Sequence, residues 1–297
     1  MNTERGSEAA ITTEPVHVHG GSLFPAQLED AGIPGRRLEW VDVLTEGQVQ
    51  DLGDAAAERA ERVAALRAVG LDAAARSAAQ DAALEQAAAE GHELVLWFGD
   101  DLFCQLIQLR LLAWLHWLGA LSRVRLAGPG PRDPDPGTCR LEAMDAPAIV
   151  RAFAARRPVD AATHDTALAA WRAFTSTDWS AIENLVRAGT PGLPALAPAL
   201  ARLAEERPAP DTGLTATEAA VLVSLDAGPA DGATLFLRAA SLERRRWYTD
   251  LMFLWVLRRL AAAPDPAIVL GGGGDALEAV TVHRTRAGDA LRQRLRP

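Results

Sequence analysis

Glu93-Leu94-Val95-Leu96-Trp97-Phe98-Gly99-Asp100-Asp101 is the stretch on which the reading of the fold turns. Six residues of nearly unbroken apolar character are the pattern of a strand covered on both faces, as in parallel sheets. The Gly-Asp-Asp that follows stops the strand and supplies acceptors for a helix N-terminus. An apolar helical pattern then runs to about Trp117. One of the two aspartates must cap that helix, and Asp100 is the stronger candidate for it. A buried strand, a short polar turn and a long apolar helix make half of a βαβ unit.

The same grammar extends outward. Val16-His17-Val18-His19 is a short β-type run that stops at Gly20-Gly21-Ser22, with apolar residues at helical spacing after it (Leu23, Leu28, Ile33). Leu38-Glu39-Trp40-Val41 is a second strand ending at Asp42. The Ala-rich segment 51–90 reads as two helices broken at Gly70-Leu71-Asp72, and Ser122–Ala127 reads as a fourth strand, stopped by the Gly- and Pro-rich residues 128–137. Strands separated by helices predict a Rossmann-like parallel α/β sheet over residues 15–140, behind a polar, disordered leader at 1–14. Residues 141–207 show helical pattern alone, a helical extension punctuated by Pro158, Pro191 and Pro194. After a Pro208-Ala209-Pro210 linker, residues 212–297 read as three helices, a β-hairpin around Gly271–Gly274 and a basic final helix. That order is the pattern of a winged-helix-like domain.

Composition excludes several chemistries. The 297 residues contain 30 basic side chains, all arginine. Without lysine there is no P-loop lysine, no kinase ATP lysine, and no Schiff base to a substrate or to pyridoxal phosphate. The two cysteines, Cys104 and Cys139, lack CxxC or Cys/His spacing. The polar N-terminus has no signal-peptide core, and the apolar run at 102–121 is broken by Gln105, Gln108, Arg110 and His116. These features predict a cytoplasmic protein without a membrane span. The charge of −9 is uneven: residues from Asp211 onward carry 11 Arg against 10 acids, the rest 19 against 29. An acidic body does not draw polyanions, so contact with DNA falls to the C-terminal part, where Arg244-Arg245-Arg246 and the arginines from Arg284 to Arg296 lie.

In an open parallel sheet, ligands bind beyond the carboxyl ends of the strands. Four strand ends here carry glycine or polar residues. His19, Gly20, Gly21 and Ser22 offer backbone amides and a hydroxyl to an anion such as phosphate. Asp42, Glu46, Asp100 and Asp101 offer carboxylates for ribose hydroxyls, for Mg²⁺, or for general-base work, with Asp101 and Asp42 the catalytic candidates. Gln105 lies one turn beyond Asp101 on the same helix face. His17-x-His19 has a spacing metals use, but no third ligand stands at a fixed distance from it. All these expectations share one premise, that the loops meet along a single rim.

Two motifs resemble a known family. Leu38-Glu-Trp-Val-Asp-Val-Leu-Thr-Glu-Gly-Gln-Val49 resembles the "W-R-D-V-L-H-E-G-P-V" segment of the bacterial family called domain of unknown function 1835. Val95-Leu-Trp-Phe-Gly-Asp-Asp-Leu-Phe-Cys-Gln-Leu106 is similar to its "V-L-W-F-E-H-D-L-Y-D-Q-L". The start of the first strand resembles "H-I-x-N-G-D-S", and Gly213–Glu218 resembles "G-L-S-x-T-E", so the likeness spans most of residues 15–290. Gly21 stands where the family has Asp, Gly99-Asp100 where it has Glu-His, and Cys104 where it has an acid. Asp42, Glu46, Asp101 and Gln105 match. The resemblance implies the fold and the pocket, not a reaction.

The expectation is therefore a protein that binds a small phosphorylated or nucleotide-like ligand, as a transferase or hydrolase would. The alternatives are a ligand-responsive DNA-binding regulator and a protein-interaction scaffold. A homodimer is compatible with each.

Overall fold

The computed structural model describes residues 14–295 apart from 22–23, 48, 69–73, 129–140, 177, 244–248 and 275. The leader up to residue 13, Ser22, Cys139 and the Arg244–Arg246 run lie outside the described residues.

The first unit alternates strand and helix: β1 (Val16–His19), α1 (Phe24–Asp30), β2 (Arg36–Glu39), α2 (Ala55–Ala68), α3 (Ala74–Ala89), β3 (Leu94–Trp97), α4 (Leu102–Trp117), β4 (Val124–Ala127), α5 (Ala146–Ala154), β5 (Arg157–Pro158), α6 (Ala161–Thr175), α7 (Trp179–Ala188) and α8 (Leu196–Ala204). The sheet order is β2-β1-β3-β4-β5, with β1 to β4 parallel and β5 antiparallel on the β4 edge. This mixed, mostly parallel α/β sheet is compatible with the Rossmann-like expectation, with one correction. The region read as helical alone contributes β5, a two-residue edge strand whose proline suits it only to an edge and whose length leaves no alternation to read.

Alternation within the short strands sends side chains to two faces. Val16, Val18, Leu94, Leu96 and Leu126 pack with α3, α4, α6 and α8 on one face, while Val95, Trp97 and Ala127 pack with α1 and α5 on the other. Ala170, Trp171, Ile182, Leu196 and Leu200 belong to the same core as the sheet. The helices of 146–204 thus complete the first unit instead of extending from it.

The second unit contains α9 (Ala216–Ser224), β6 (Ala230–Asp231), α10 (Gly232–Leu242), α11 (Asp250–Ala262), β7 (Ile268–Gly272), β8 (Val280–Arg284) and α12 (Arg286–Arg294). Its antiparallel sheet has the order β6-β8-β7. Its own core joins Val221, Leu235, Phe253, Leu257, Ile268 and Val282. Thr215 opens α9 with a reciprocal capping box to Glu218, as the Thr-x-x-Glu spacing dictates. No helix among the described residues is long and apolar enough to cross a membrane.

Candidate functional site

β1 leads to β2 on one side, whereas β3 leads to β4 on the other, so the chain changes direction between β1 and β3. Such a switch opens a crevice beyond the carboxyl ends of the two strands. His19 ends β1 there, only 1% exposed, and among the described residues neither of its ring nitrogens makes a well-formed hydrogen bond. Burial lowers its pKa, with the Gly21 backbone and the Glu39 carboxylate opposing in smaller measure. Gly20 sits against Phe98: a Cβ there would stand 3.3 Å from the Phe98 ring. The glycine thus permits close approach of β1 and β3 at the rim.

His17 has a structural fate instead. Trp97 Nε1 donates to its Nδ1 at 3.0 Å, and its Nε2 lies 2.9 Å from the Pro34 carbonyl. Both nitrogens are engaged, so the His-x-His spacing presents no pair of ligands to a metal. Gly35, at φ +136°, leaves room for this ring, because a Cβ there would come within 2.6 Å of His17 Nε2.

Beside the switch, over the carboxyl ends of β3 and β4, lies a cavity of about 210 Å³. Gly99, Asp100, Gln105, Gln108, Gly128 and Arg157 are among its lining residues. Gln105 donates to the Gly99 carbonyl at 2.6 Å, which orients its amide. Arg157 reaches the Gly192 carbonyl. Gln108 and Arg157 were not anticipated as site residues. Gln108 had a signal, a second amide one turn past Gln105 in an apolar helix. Arg157 had none, because it arrives on the edge strand.

The aspartate pair has the reverse of the expected division of labour. Helix α4 begins at Leu102, which makes Asp101 its N-cap. The Asp101 carboxylate accepts from Cys104 N at 2.8 Å, and Asp100 lines the cavity.

The carboxylates after β2 go elsewhere. Asp42, 8% exposed, is gripped by Arg62 of α2, with Nε 3.0 Å from both carboxylate oxygens and Nη2 2.8 Å from Oδ1. Arg110 of α4 stands 4.0 Å away on the other side and itself pairs with Glu58 at 2.6 Å. The Arg110 guanidinium also lies over the rings of Trp40, Trp114 and Trp171. Arg110 is nine residues, or about 13 Å of helix, beyond Asp101. Glu46 forms an ion pair with Arg259 of α11, both oxygens 2.6 Å from Nη1, and faces a different cavity between the two units. The single-rim premise is thus corrected. The loops after β3 and β4 share a cavity, His19 and Gly20 stand at the switch, and the β2 carboxylates are held by arginines. Among the described residues no group of three His, Cys, Asp or Glu side chains is placed to hold a metal ion. Asp42, Glu46 and Asp101 are held by Arg62, Arg259 and the Cys104 amide and do not converge on a Mg²⁺ site.

No family model matches the chain, and no curated protein matches it. Among solved structures it is similar to the DNA-binding, cleavage and re-ligation domain of Plasmodium falciparum topoisomerase II, at 11% identity and a TM-score of 0.45. That likeness covers 91% of this chain and 47% of the other, so the chain spans about half the length of that structure.

Proposed function

We propose that the first unit binds a small phosphorylated or nucleotide-like molecule beyond the carboxyl ends of β1, β3 and β4. The observation that carries this reading is the cavity beside the β1/β3 switch, lined in part by Asp100, Gln105, Gln108 and Arg157, where parallel sheets of this order take ligands. Arg157 supplies a cation for an anionic group, and the Gln105 and Gln108 amides supply donors and acceptors for hydroxyls or a base. Asp100 is the carboxylate that would take a proton in a transferase or hydrolase reaction. At about 210 Å³ the cavity is below the usual range of roughly 300–1,000 Å³ for ligand sites, which favours a ligand of monophosphate size over a dinucleotide.

The test is thermal denaturation of the full chain with nucleoside monophosphates, sugar phosphates and inorganic phosphate, each with and without Mg²⁺. At least one should raise Tm in the wild type, and Arg157→Ala and Gln108→Leu should abolish the rise while leaving the circular dichroism unchanged. No shift with any compound, or equal shifts in the variants, would refute the reading.

A second reading rests on the second unit. Its order of elements, three helices with a β-hairpin and a small sheet ordered β6-β8-β7, favours the winged-helix-like arrangement expected from the helix and hairpin pattern of the sequence. In such a domain the third helix reads DNA. Here that helix is α11, and Arg259 on its outward side pairs with Glu46 of the first unit. A regulator built this way would release α11 before binding. Salt-dependent DNA binding by Glu46→Gln, but not by the wild type, is its signature.

A further inference from the structure

The larger cavity, about 430 Å³, lies where the two units meet, and its size falls within the range of small-molecule sites. Its apolar wall includes Phe174 and Trp179, from the end of α6 and the start of α7. Its charged groups are Glu46, Glu206 and Arg259, two carboxylates against one guanidinium. Glu206 Oε1 accepts from Arg202 at 2.5 Å and from the Thr217 hydroxyl at 2.7 Å, so it is fixed in place. The Glu46 side chain is 7% exposed, whereas the side chain of Arg259 that pairs with it is 43% exposed. Thr45 lines the same space with a buried hydroxyl that meets no partner among the described residues.

Charge and shape together define the occupant. A cleft with a buried carboxylate, aromatic faces and an apolar wall suits an organic cation with an apolar body, since ring faces and carboxylates both favour positive charge. The acidic first unit adds a field of the same sign. Arg259 is the solvent-facing half of its ion pair, 43% exposed against 7% for Glu46, so it is the member that can turn out to water when another cation takes the carboxylate. We infer that the inter-unit cleft binds a small organic cation with an apolar, aromatic body, whose charged end takes Glu46 in place of Arg259. This site is separate from the cavity at the sheet edge. Its occupation would detach the side chain that ties α11 to the first unit.

The probe series is 4-phenylbutylammonium, 4-phenylbutanol and 4-phenylbutyrate, which share one apolar body and differ in charge. Calorimetric titration of the full wild-type chain should show the ammonium binding at least about tenfold more tightly than the alcohol, and no binding of the carboxylate. Glu46→Gln should weaken the ammonium by about tenfold or more. Arg259→Ala should strengthen it, because the competitor for Glu46 is gone; a residue that merely props the cleft open would have the opposite effect. Equal affinity for ammonium and alcohol, or weaker ammonium binding in Arg259→Ala, would overturn the inference. The wild-type series decides the matter even if a variant fails to fold. The phosphate panel tests the sheet-edge cavity independently.

Discussion

Two carboxylates that look alike in sequence, Asp42 and Asp101, both lie just beyond a strand of the parallel sheet. Their surroundings separate them. Asp101 holds a backbone amide at a helix start, and Asp42 neutralises Arg62 inside the protein, with Arg110 close by. Removing a cap typically costs about 1 kcal/mol. Removing one member of a buried ion pair leaves an uncompensated charge and costs about 3–5 kcal/mol. Urea unfolding should therefore show Asp101→Ala lowering stability by about 1 kcal/mol and Asp42→Ala by about 3–5 kcal/mol. Comparable losses for the two would mean that Asp42 is not the keystone of the Arg62 and Arg110 cluster.

At the scale of an element, β1 shows how a four-residue strand serves both packing and the candidate site. Its valines face the α3/α4 layer and its histidines face α1 and α5. Burial lowers the pKa of both imidazoles below the ordinary 6.5. The unfolded chain therefore takes up these protons first as pH falls. The stability that neutral His17 and His19 contribute is complete above about pH 6.5 and is withdrawn as pH drops below it towards the folded values. Glu58 and Asp81, whose carboxyls burial pushes up, act in the opposite direction, favouring the fold as they take up protons in acid. The His contribution is isolated by comparison. The denaturation midpoint should fall between about pH 7 and about pH 5 less steeply in His19→Leu than in the wild type. Parallel slopes would show that His19 does not titrate differently in the two states.

For the whole molecule, the join between the units is polar and specific. Arg202 of α8, almost wholly buried, binds Glu243 beyond α10 at 2.6 Å, the Thr217 hydroxyl of α9 at 2.9 Å and Glu206 at 2.5 Å. Burial opposes its charge, yet the hydrogen bonds and fields of Glu243 and Glu206 outweigh burial and raise its pKa. Together with Glu46–Arg259 it gives the two cores two ionic ties. Arg202→Ala leaves two acids facing one another without their cation. Urea unfolding followed by tryptophan fluorescence and by circular dichroism should coincide in the wild type and separate in this variant, as each core melts by itself. Coincident curves in Arg202→Ala would show that the units are coupled by other contacts.

The strands β1, β3 and β4, the long helix after Gly99-Asp100-Asp101, the capping box at Thr215 and the helix–hairpin order of the second unit were all legible from the chain, because each depends on neighbours within a few residues. The edge strand at Arg157-Pro158 was not, since two residues carry no period. Nor were the fates of the acidic residues. Asp42 meets an arginine 20 residues away and Glu46 one 213 residues away. Residue order by itself determined that carboxylates would stand after the strands. Only the packed tertiary structure decided which of them face a cavity and which are neutralised, because a charge acts through the few ångströms around it and not along the chain.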